Sequence, residues 1–369
     1  MKIVLAPDKF KGSLSSFEVC EALSKGIRSV YKEAEVHSFP MADGGDGFAA
    51  VMRHYYHTQQ VLCDTVDPLG RPMQAGYEWD PKTNTAFIEL ATASGLILLK
   101  EEERNPLYTS TRGTGIMIKD AISRSAKKIV LGLGGSATND AGIGILSALG
   151  FAFLDSDDQP LAPNGQSLSF IARINVPPAL PDIRFLIASD VQNPLYGEQG
   201  AAFVYGPQKG ADRETVEQLD KGLTHFAEIL KQFTGQNISE MAGAGAAGGV
   251  AAGLISFFKT GITEGIQLVA DASGINDVIK DADLLITGEG KIDNQSAKGK
   301  VVGYLSYLAK KNNIPCRVIC GFVELNSEEL NDMGIEKVIS LIDSAESREQ
   351  SFTQAKTLIA SLAPQLLDS

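Results

Sequence analysis

Short apolar runs separated by amphipathic segments occupy both ends of the chain. Residues 2–6 and 36–39 predict buried strands, and the apolar positions within 19–30 recur with the period of a helix. After residue 265 the alternation returns, with predicted strands at 266–270, 284–287, 317–320 and 338–341. This β-α order is typical of a doubly wound, Rossmann-like α/β sheet. We therefore predict one flavodoxin-like domain built from both chain ends, residues 1–58 and 265–369.

The middle of the chain follows a different pattern. Its first three predicted strands succeed one another as a meander and are separated by Asp-Pro turns. Further elements follow along the chain: strands at 61–66, 74–79 and 85–90, a helix near 113–125, strands at 151–154 and 185–188, and a long amphipathic helix at 211–233. We predict that residues 59–264 form an inserted mixed α/β domain.

A glycine-rich turn, LGLGGSATNDAGIG at 131–144, joins a predicted strand to a predicted helix. Gly134 and Gly135 leave the backbone free to adopt positive φ and allow a ligand to approach it closely. Asn139 or Asp140 is placed to cap the helix, whose free N–H groups suit an anion such as phosphate. The turn therefore predicts a phosphate site, with a purely structural tight turn as the alternative.

The same turn also fits a looser dinucleotide pattern. Gly132-x-Gly134-x-x-Ala137 matches the glycine spacing, and Asp155 lies near where a ribose-binding acid is expected. A nicotinamide or flavin site is thus a third interpretation. A second run, Gly243-x-Gly245-x-x-Gly248, has the same spacing but no strand before it, which indicates a glycine-rich helix entry or a hinge.

Composition narrows the class of protein. A chain of 369 residues with 44% hydrophobic and 21% charged residues predicts a globular protein of two domains. The net charge of −12 disfavours binding to nucleic acid or an anionic membrane. We find no secretory signal pattern, no apolar run near the roughly 20 residues of a membrane span, and four scattered cysteines. These features predict a reduced, cytoplasmic protein, and they are compatible with a homo-oligomer.

Acidic residues lie at the ends of several predicted strands: Asp43, Asp46, Asp190, Asp271, Glu289 and Asp293. Such carboxylates hold Mg²⁺ beside substrate phosphates or accept a proton from a hydroxyl. A cap or turn role explains any one of them more simply. The number of these acidic residues favours a binding or catalytic site. Lysines share these turns and suit phosphoryl oxygens: Lys9, Lys11, Lys291, Lys298 and Lys300. The chain contains no Walker A motif, so a phosphotransferase here is not a P-loop enzyme.

Eight ordered blocks resemble the bacterial glycerate kinases of type I. They are APDKFKGSL, PMADGGDG, ERNPLYTSTRGTG, GLGGSATNDAGIG, ASDVQNPLYGEQGA, VYGPQKGA, GAGAAGGVAAGL and LLITGEGKID. The resemblance covers nearly the whole chain. It implies transfer of the ATP γ-phosphate to D-glycerate with Mg²⁺, in a cleft between two α/β domains, and favours 2-phosphoglycerate as product.

The resemblance and the demands of phosphoryl transfer, which are positioning and charge neutralisation, predict roles for named residues. Asp190, Asp293 and Lys9 are the candidate catalytic residues, and Asp190 and Asp293 are also the candidate Mg²⁺ ligands. Either aspartate is a candidate base, and either Arg71 or Arg104 is a candidate for the glycerate carboxylate. The candidate substrate and phosphate ligands are Lys11, Asp43, Asp46, Arg71, Arg104, Gly134, Gly135, Ser136, Asn139, Glu289, Lys291 and Lys298.

Two other classes of function remain open from the sequence. An NAD-dependent oxidoreductase acting on a small hydroxy acid depends on the GLGGSA turn together with Asp155. A non-catalytic metabolite-binding regulator would have the same binding residues without turnover. Release of ADP from ATP on addition of D-glycerate and Mg²⁺ distinguishes a kinase from these two classes.

Overall fold

A computed structural model describes residues 1–294, 296 and 300–368. The strands are β1 Lys2–Pro7, β2 Glu35–Ser38, β3 Gln59–Val66, β4 Pro72–Asp80, β5 Thr85–Glu89, β6 Lys128–Gly132, β7 Ala152–Leu154, β8 Arg173–Asn175, β9 Arg184–Ala188, β10 Lys259–Thr263, β11 Leu284–Ile292, β12 Cys316–Val323 and β13 Ile335–Ser340.

The α-helices include several short ones between these strands. They are α1 Ser16–Val30, α2 Phe48–Tyr56, α3 Ala91–Ser94, α4 Arg112–Ser123, α5 Ile143–Ala148, α6 Ala201–Tyr205, α7 Arg213–Thr234, α8 Ala246–Phe257, α9 Gly265–Ser273, α10 Ile275–Val278, α11 Val301–Lys311, α12 Ser327–Asp332, α13 Leu341–Ser344, α14 Arg348–Thr353 and α15 Ala355–Leu362. Within the described ranges, no helix combines the length and apolar character that a membrane crossing requires.

Two compact units divide the chain. The first unit comprises Met1–Asp43 with Glu264–Ser369, and the second unit comprises Gly44–Thr263. Helix α2, which the sequence analysis placed in the first domain, belongs to the second unit, where it packs on β4 and β5.

The first unit has one sheet of five parallel strands in the order β13-β12-β11-β1-β2. Counted within the unit, this is the order 2-1-3-4-5 of a flavodoxin-like fold, which confirms the predicted class. Helix α1 begins with a capping box, in which Ser15 accepts from the Glu18 N–H and the Glu18 carboxylate accepts from the Ser15 N–H. It packs closely on the C-terminal helix, because a Cβ at Gly26 would lie 2.1 Å from the Ala360 carbonyl oxygen.

The second unit has a mixed sheet in the order β10-β9-β6-β5-β4-β3. Strands β3, β4 and β5 pair antiparallel, which confirms the predicted meander, whereas β5, β6, β9 and β10 are parallel. Strands β7 and β8 form a separate antiparallel pair. The central parallel strands β5 and β6 are almost entirely buried, whereas β10 at the edge of the sheet is partly exposed.

Two predicted strands differ from the structure. Residues 266–270 lie in helix α9, and the strand beside them is β10, which the sequence analysis missed. Periodicity does not distinguish a short apolar run in a strand from one in a helix, and the sequence of β10, KTGIT, is largely polar. Asp271 is therefore an exposed helical residue and does not follow a strand.

The strand predicted at 284–287 extends to Ile292, so Glu289 lies inside β11 rather than in a turn. Gly288 is required there by close strand packing, because a Cβ at this position would lie 2.0 Å from the Ile319 carbonyl oxygen. The glycine that suggested a turn is explained by the neighbouring strand.

Candidate active site

The parallel strands of the second unit end level with one another. Glu89 pairs with Gly132, Gly132 with Ala188, and Ala188 with Thr263. The glycine-rich turn after β6 and the Ser189-Asp190 pair after β9 therefore leave the same carboxyl edge. Ligands of α/β sheets bind outside this edge.

Backbone packing accounts for two glycines of the turn. A Cβ at Gly132 would lie 2.6 Å from the Gly44 carbonyl oxygen, and one at Gly134 would lie 2.5 Å from Gly45 Cα. Gly135 has a φ of +73°, the backbone conformation expected of the turn. The Ala137 N–H donates to the Ser94 carbonyl at 2.9 Å, so residues 94–96 support the turn from one side.

Asp140 anchors the end of the turn. Its carboxylate, fully buried, accepts from the Thr111 N–H and hydroxyl, each at 2.8 Å, and from the N–H groups of Gly142 at 3.1 Å and Gly144 at 3.2 Å. Burial raises the pKa of Asp140, and these donors oppose the shift. The predicted cap is partly right: Gly142 occupies the N-cap position, but the Asp140 carboxylate binds the first turn of α5.

Lys209 lies behind the turn and was not predicted. Its side chain is 2% exposed, and Nζ donates to the Thr138 carbonyl at 2.6 Å. Burial lowers the pKa of Lys209 to about 7, against the attraction of Asp140. The only signal in the sequence was its place in the VYGPQKGA block, because an isolated lysine is normally a surface residue.

Asn139 and Thr138 are buried polar residues with unused hydrogen-bonding groups. Among the described residues, neither the Asn139 carboxamide nitrogen and oxygen nor the Thr138 hydroxyl has a hydrogen-bond partner. Gly248 packs beneath them, because a Cβ there would lie 2.2 Å from the Thr138 carbonyl oxygen. The second glycine run is thus a kinked entry to α8, in line with the predicted helix entry or hinge: Ala247, Gly248 and Gly249 have left-handed φ of +52°, +70° and +91°. It packs against the turn.

The two candidate arginines differ. Arg71 pairs with Asp67 and with Glu103 at 2.7 Å, so acids of the second unit already occupy its guanidinium. Arg104 has a buried Nε with no partner in the described part of the chain. Gly210, at φ +93°, packs against the Arg104 backbone next to Lys209. This geometry favours Arg104 over Arg71 as a ligand for a carboxylate.

Charged side chains gather at the carboxyl edge of the first unit. Lys9 Nζ lies 3.7 Å from Asp8 Oδ1 and 3.5 Å from Asp43 Oδ1. Asp8 is 4% exposed, and burial raises its pKa to about 7 against the opposing charge of Lys9. Asp43 and Glu289 raise it further. Asp8 was not predicted as a site residue, although it directly follows β1.

Glu289 is the second buried acid of this edge. Burial raises its pKa to about 7, opposed by Ser296 and Lys300, and its Oε1 has no partner among the described residues. Beyond it, Lys291 Nζ lies 2.9 Å from Glu324 Oε2 and 3.4 Å from Asp293 Oδ2. Asp293 also accepts from the Ser296 N–H at 3.3 Å. Lys291 and Asp293 are therefore held together.

The remaining predicted residues are placed as follows. Lys11 and Asp46 are exposed in the turns before α1 and α2, Ser136 is nearly buried in the glycine-rich turn, and Asp190 is partly buried. Lys298 lies outside the described residues. In the ranges that the structure describes, no three His, Cys, Asp or Glu side chains form a group that could hold a metal ion.

The dinucleotide interpretation is not supported by this geometry. Strand β7, which follows the turn and α5, pairs antiparallel with β8 in a separate small sheet. Asp155 caps its own loop by accepting from the N–H groups of Asp157 at 2.9 Å and Gln159 at 2.8 Å. It is a turn residue, outside any βαβ unit.

Comparisons with known proteins agree with the resemblance. The sequence model of the glycerate kinase family matches residues 3–369. A glycerate kinase of Halalkalibacterium halodurans is 40% identical over 364 residues, covering 98% of this chain and 96% of that protein. The glycerate 2-kinase of Escherichia coli K12 is 39% identical over 358 residues, covering 96% and 94%. A crystal structure of a Salmonella typhimurium LT2 protein, assigned as glycerate kinase 2, has a TM-score of 0.83 at 36% identity and covers 99% and 97%.

Proposed function

The chain belongs to the glycerate kinase family and phosphorylates glycerate with ATP, and on that premise we propose that it converts D-glycerate to 2-phosphoglycerate. The name of the Escherichia coli relative supports the 2-position. The observation that carries the proposal is the level carboxyl edge of the second unit, from which the glycine-rich turn and Asp190 both extend.

In this proposal the turn binds phosphate and Arg104 binds the carboxylate of glycerate. Gly134, Gly135 and Ser136 offer backbone N–H groups to phosphate oxygens, which cost no reorganisation because the turn is already packed. Arg104 offers a planar, permanently charged group suited to a carboxylate. Its unpartnered Nε supports this role.

Side chains of the first unit offset the negative charge of the nucleotide. Lys9 is held between Asp8 and Asp43, and Lys291 between Asp293 and Glu324, so both ammonium groups are positioned before substrate binds. Phosphoryl transfer gains most from such prepositioned charge. Asp190 or Asp293 would accept the proton of the attacking hydroxyl.

Mg²⁺ is part of the proposal. The candidate ligands, Asp190 and Asp293, supply the carboxylate oxygens that Mg²⁺ prefers, and Glu289 Oε1 is a further buried oxygen without a partner in the described chain. A site built from one or two carboxylates and substrate phosphates needs no group of three acids. When bound, the ion would neutralise charge that develops on the phosphates. The four cysteines are free thiols, which supports a cytoplasmic setting.

One assay tests the function. ADP release from ATP is measured with D-glycerate, with L-glycerate and without acceptor, each with Mg²⁺ or with excess chelator. We expect turnover only with D-glycerate and Mg²⁺. The ³¹P signal of the product should be a doublet, because a phosphate at carbon 2 couples to one methine proton. A triplet would indicate the 3-phosphate and contradict the proposed position.

A further inference from the structure

Lys209 is the buried cation of the second unit. A fully buried lysine is rare because desolvation of an ammonium costs several kcal/mol unless it is compensated. Here the compensation is one hydrogen bond, from Nζ to the Thr138 carbonyl at 2.6 Å, and the nearby charge of Asp140. Such a costly arrangement needs an explanation in the function of the turn.

The hydrogen bond fixes one peptide group. Because a trans peptide is planar, its C=O and N–H point in opposite directions, so a Thr138 carbonyl held towards Lys209 directs the Asn139 N–H away from it. No acceptor for that N–H is found among residues 1–294, 296 and 300–368. The Asn139 Nδ2 and the Thr138 hydroxyl are also without partners there.

These groups include three hydrogen-bond donors at two successive residues of the turn, beside one acceptor without a partner in the described chain, Asn139 Oδ1. A buried donor without a partner costs about 1–3 kcal/mol, so a cluster of them indicates a missing acceptor. Oxygen atoms of an anion, from a phosphate or a carboxylate, can accept from several donors at once.

Contacts on two further sides restrict the same peptide. Asp140, the residue that follows this peptide, accepts hydrogen bonds from Thr111 and from the first turn of α5. Gly248 packs against it from another side, because a Cβ there would lie 2.2 Å from the Thr138 carbonyl oxygen and 2.5 Å from Asn139 Cα. Lys209 contributes the only one of these contacts that a single side-chain substitution removes without disturbing the start of α5.

We infer that Lys209 is a positioning residue: its ammonium orients the Thr138–Asn139 peptide so that the donors of these two residues bind anionic oxygens of a substrate. The inference rests on the proposed function, since it assumes that the turn binds substrate. ATP phosphates and the glycerate carboxylate share the required chemistry. Separate KM values for the two substrates distinguish them.

The test replaces Lys209 with Met, which has a similar length and no charge. Loss of one charge-assisted hydrogen bond should raise the KM for one substrate about tenfold or more, with a smaller change in kcat. The melting temperature should stay near or above that of the parent protein, because an apolar side chain avoids the desolvation cost. A purely structural role predicts the opposite pattern, with lower stability and unchanged KM. Lys221→Met, on the exposed face of α7, is the matched control and should change neither.

Unchanged KM values for both substrates in folded Lys209→Met would overturn the inference. If that variant does not fold, Lys209→Arg provides the test. The longer, forked guanidinium keeps the charge but must displace the Thr138 carbonyl. A raised KM in folded Lys209→Arg supports the inference, and parental kinetics reject it. Gly134→Ala, which displaces the backbone of the turn, distinguishes failure of this inference from failure of the proposed function. An altered KM there with parental kinetics at position 209 rejects only the role of Lys209, whereas unchanged KM values at both positions reject the turn as a binding element.

Discussion

At the carboxyl edge of the first unit the polar groups are ionisable side chains, whereas at that of the second unit they are mainly backbone amides. Asp8, Lys9, Asp43 and Glu289 lie around the end of β1 and the part of β11 level with it. In the second unit Gly135 is the exposed residue of the glycine-rich turn, whereas Asp140 near the end of the turn and Lys209 behind it are buried. We expect the first arrangement to respond to pH below 7, through its buried acids, and the second to respond to added side-chain volume and, through Lys209, to pH above 7.

Two acids are exceptions to this contrast: Glu89 at the buried end of β5 and Asp190 after β9 both lie at the carboxyl edge of the second unit. Asp190 is the one of them proposed as a base. If it is the base, Asp190→Asn should lower kcat at least ~100-fold, because general-base catalysis typically contributes that much. Steady-state ADP release measures the effect. Asp182→Asn, at the exposed opposite end of β9, is the matched control. Near-parental turnover in Asp190→Asn would leave Asp293 as the candidate base.

Arg104 and Arg71 of the second unit differ in their partners, and we expect their substitutions to differ in effect. Arg104→Met should raise the KM for glycerate roughly 10- to 100-fold, the effect of losing a hydrogen bond to a charged group. Arg71→Met should leave that KM within about twofold and slightly lower stability, since exposed ion pairs contribute under ~1 kcal/mol. The reverse order of effects would show that the pairs with Asp67 and Glu103 open to bind substrate.

Added volume should damage the turn. Gly134→Ala places a Cβ 2.5 Å from Gly45 Cα, so the backbone must move, at an expected cost of about 1–3 kcal/mol. Chemical denaturation and the KM for ATP should both report the change. Gly261→Ala is the control, because its Cβ would meet Leu186 at an ordinary 3.5 Å. Equal stability of the two variants would contradict the packing explanation.

The pH dependence of stability should have opposite signs in two adjacent ranges. Asp8 and Glu289 keep their protons to about pH 7 when folded, but ionise from about 3.8 and 4.5 when unfolded. The folded state binds more protons between these values, so stability falls as pH rises towards 7. Lys209 has its pKa lowered to about 7, so above that pH the unfolded state binds more protons and stability rises.

We therefore expect the melting temperature to pass through a minimum near pH 7, a few degrees below its values at lower and higher pH. The measurement is made without nucleotide or metal ion. The double variant Asp8→Asn, Glu289→Gln should show a smaller fall below pH 7, because of these acids only Asp140, whose pKa burial also raises, still contributes to it. Lys209→Met should lose the rise above pH 7. Asp332→Asn, an exposed acid of the first unit, should keep both. A monotonic profile in the parent protein would contradict the environments assigned to these three groups.

The sequence predicted the fold where apolar runs were long or regularly spaced. The flavodoxin-like order followed from the alternation at both chain ends, and the meander from alternating residues between Asp-Pro turns. It failed at β10 and α9, where a polar edge strand precedes an apolar helix. It also placed Glu289 in a turn, because nothing local shows that Gly288 makes room for β12.

The candidate site was less predictable than the fold. Acids and glycines at strand ends were found because their positions follow from the strands themselves. The burial of Lys209, the unused donors of Asn139 and the difference between Arg71 and Arg104 depend on side chains from distant segments. Such burial overrides the ordinary preference of each residue type.

The discontinuity of the first unit has a consequence for synthesis on the ribosome. Its central strands are 281 residues apart in the chain where Thr287 donates to Ala6. At roughly 5–20 residues per second, β1 waits for β11 for about 15 to 60 s. The continuous second unit is complete before then. During that interval the nascent β1 and β2 carry unpaired edges, which makes this stage the one at which a chaperone would be most useful.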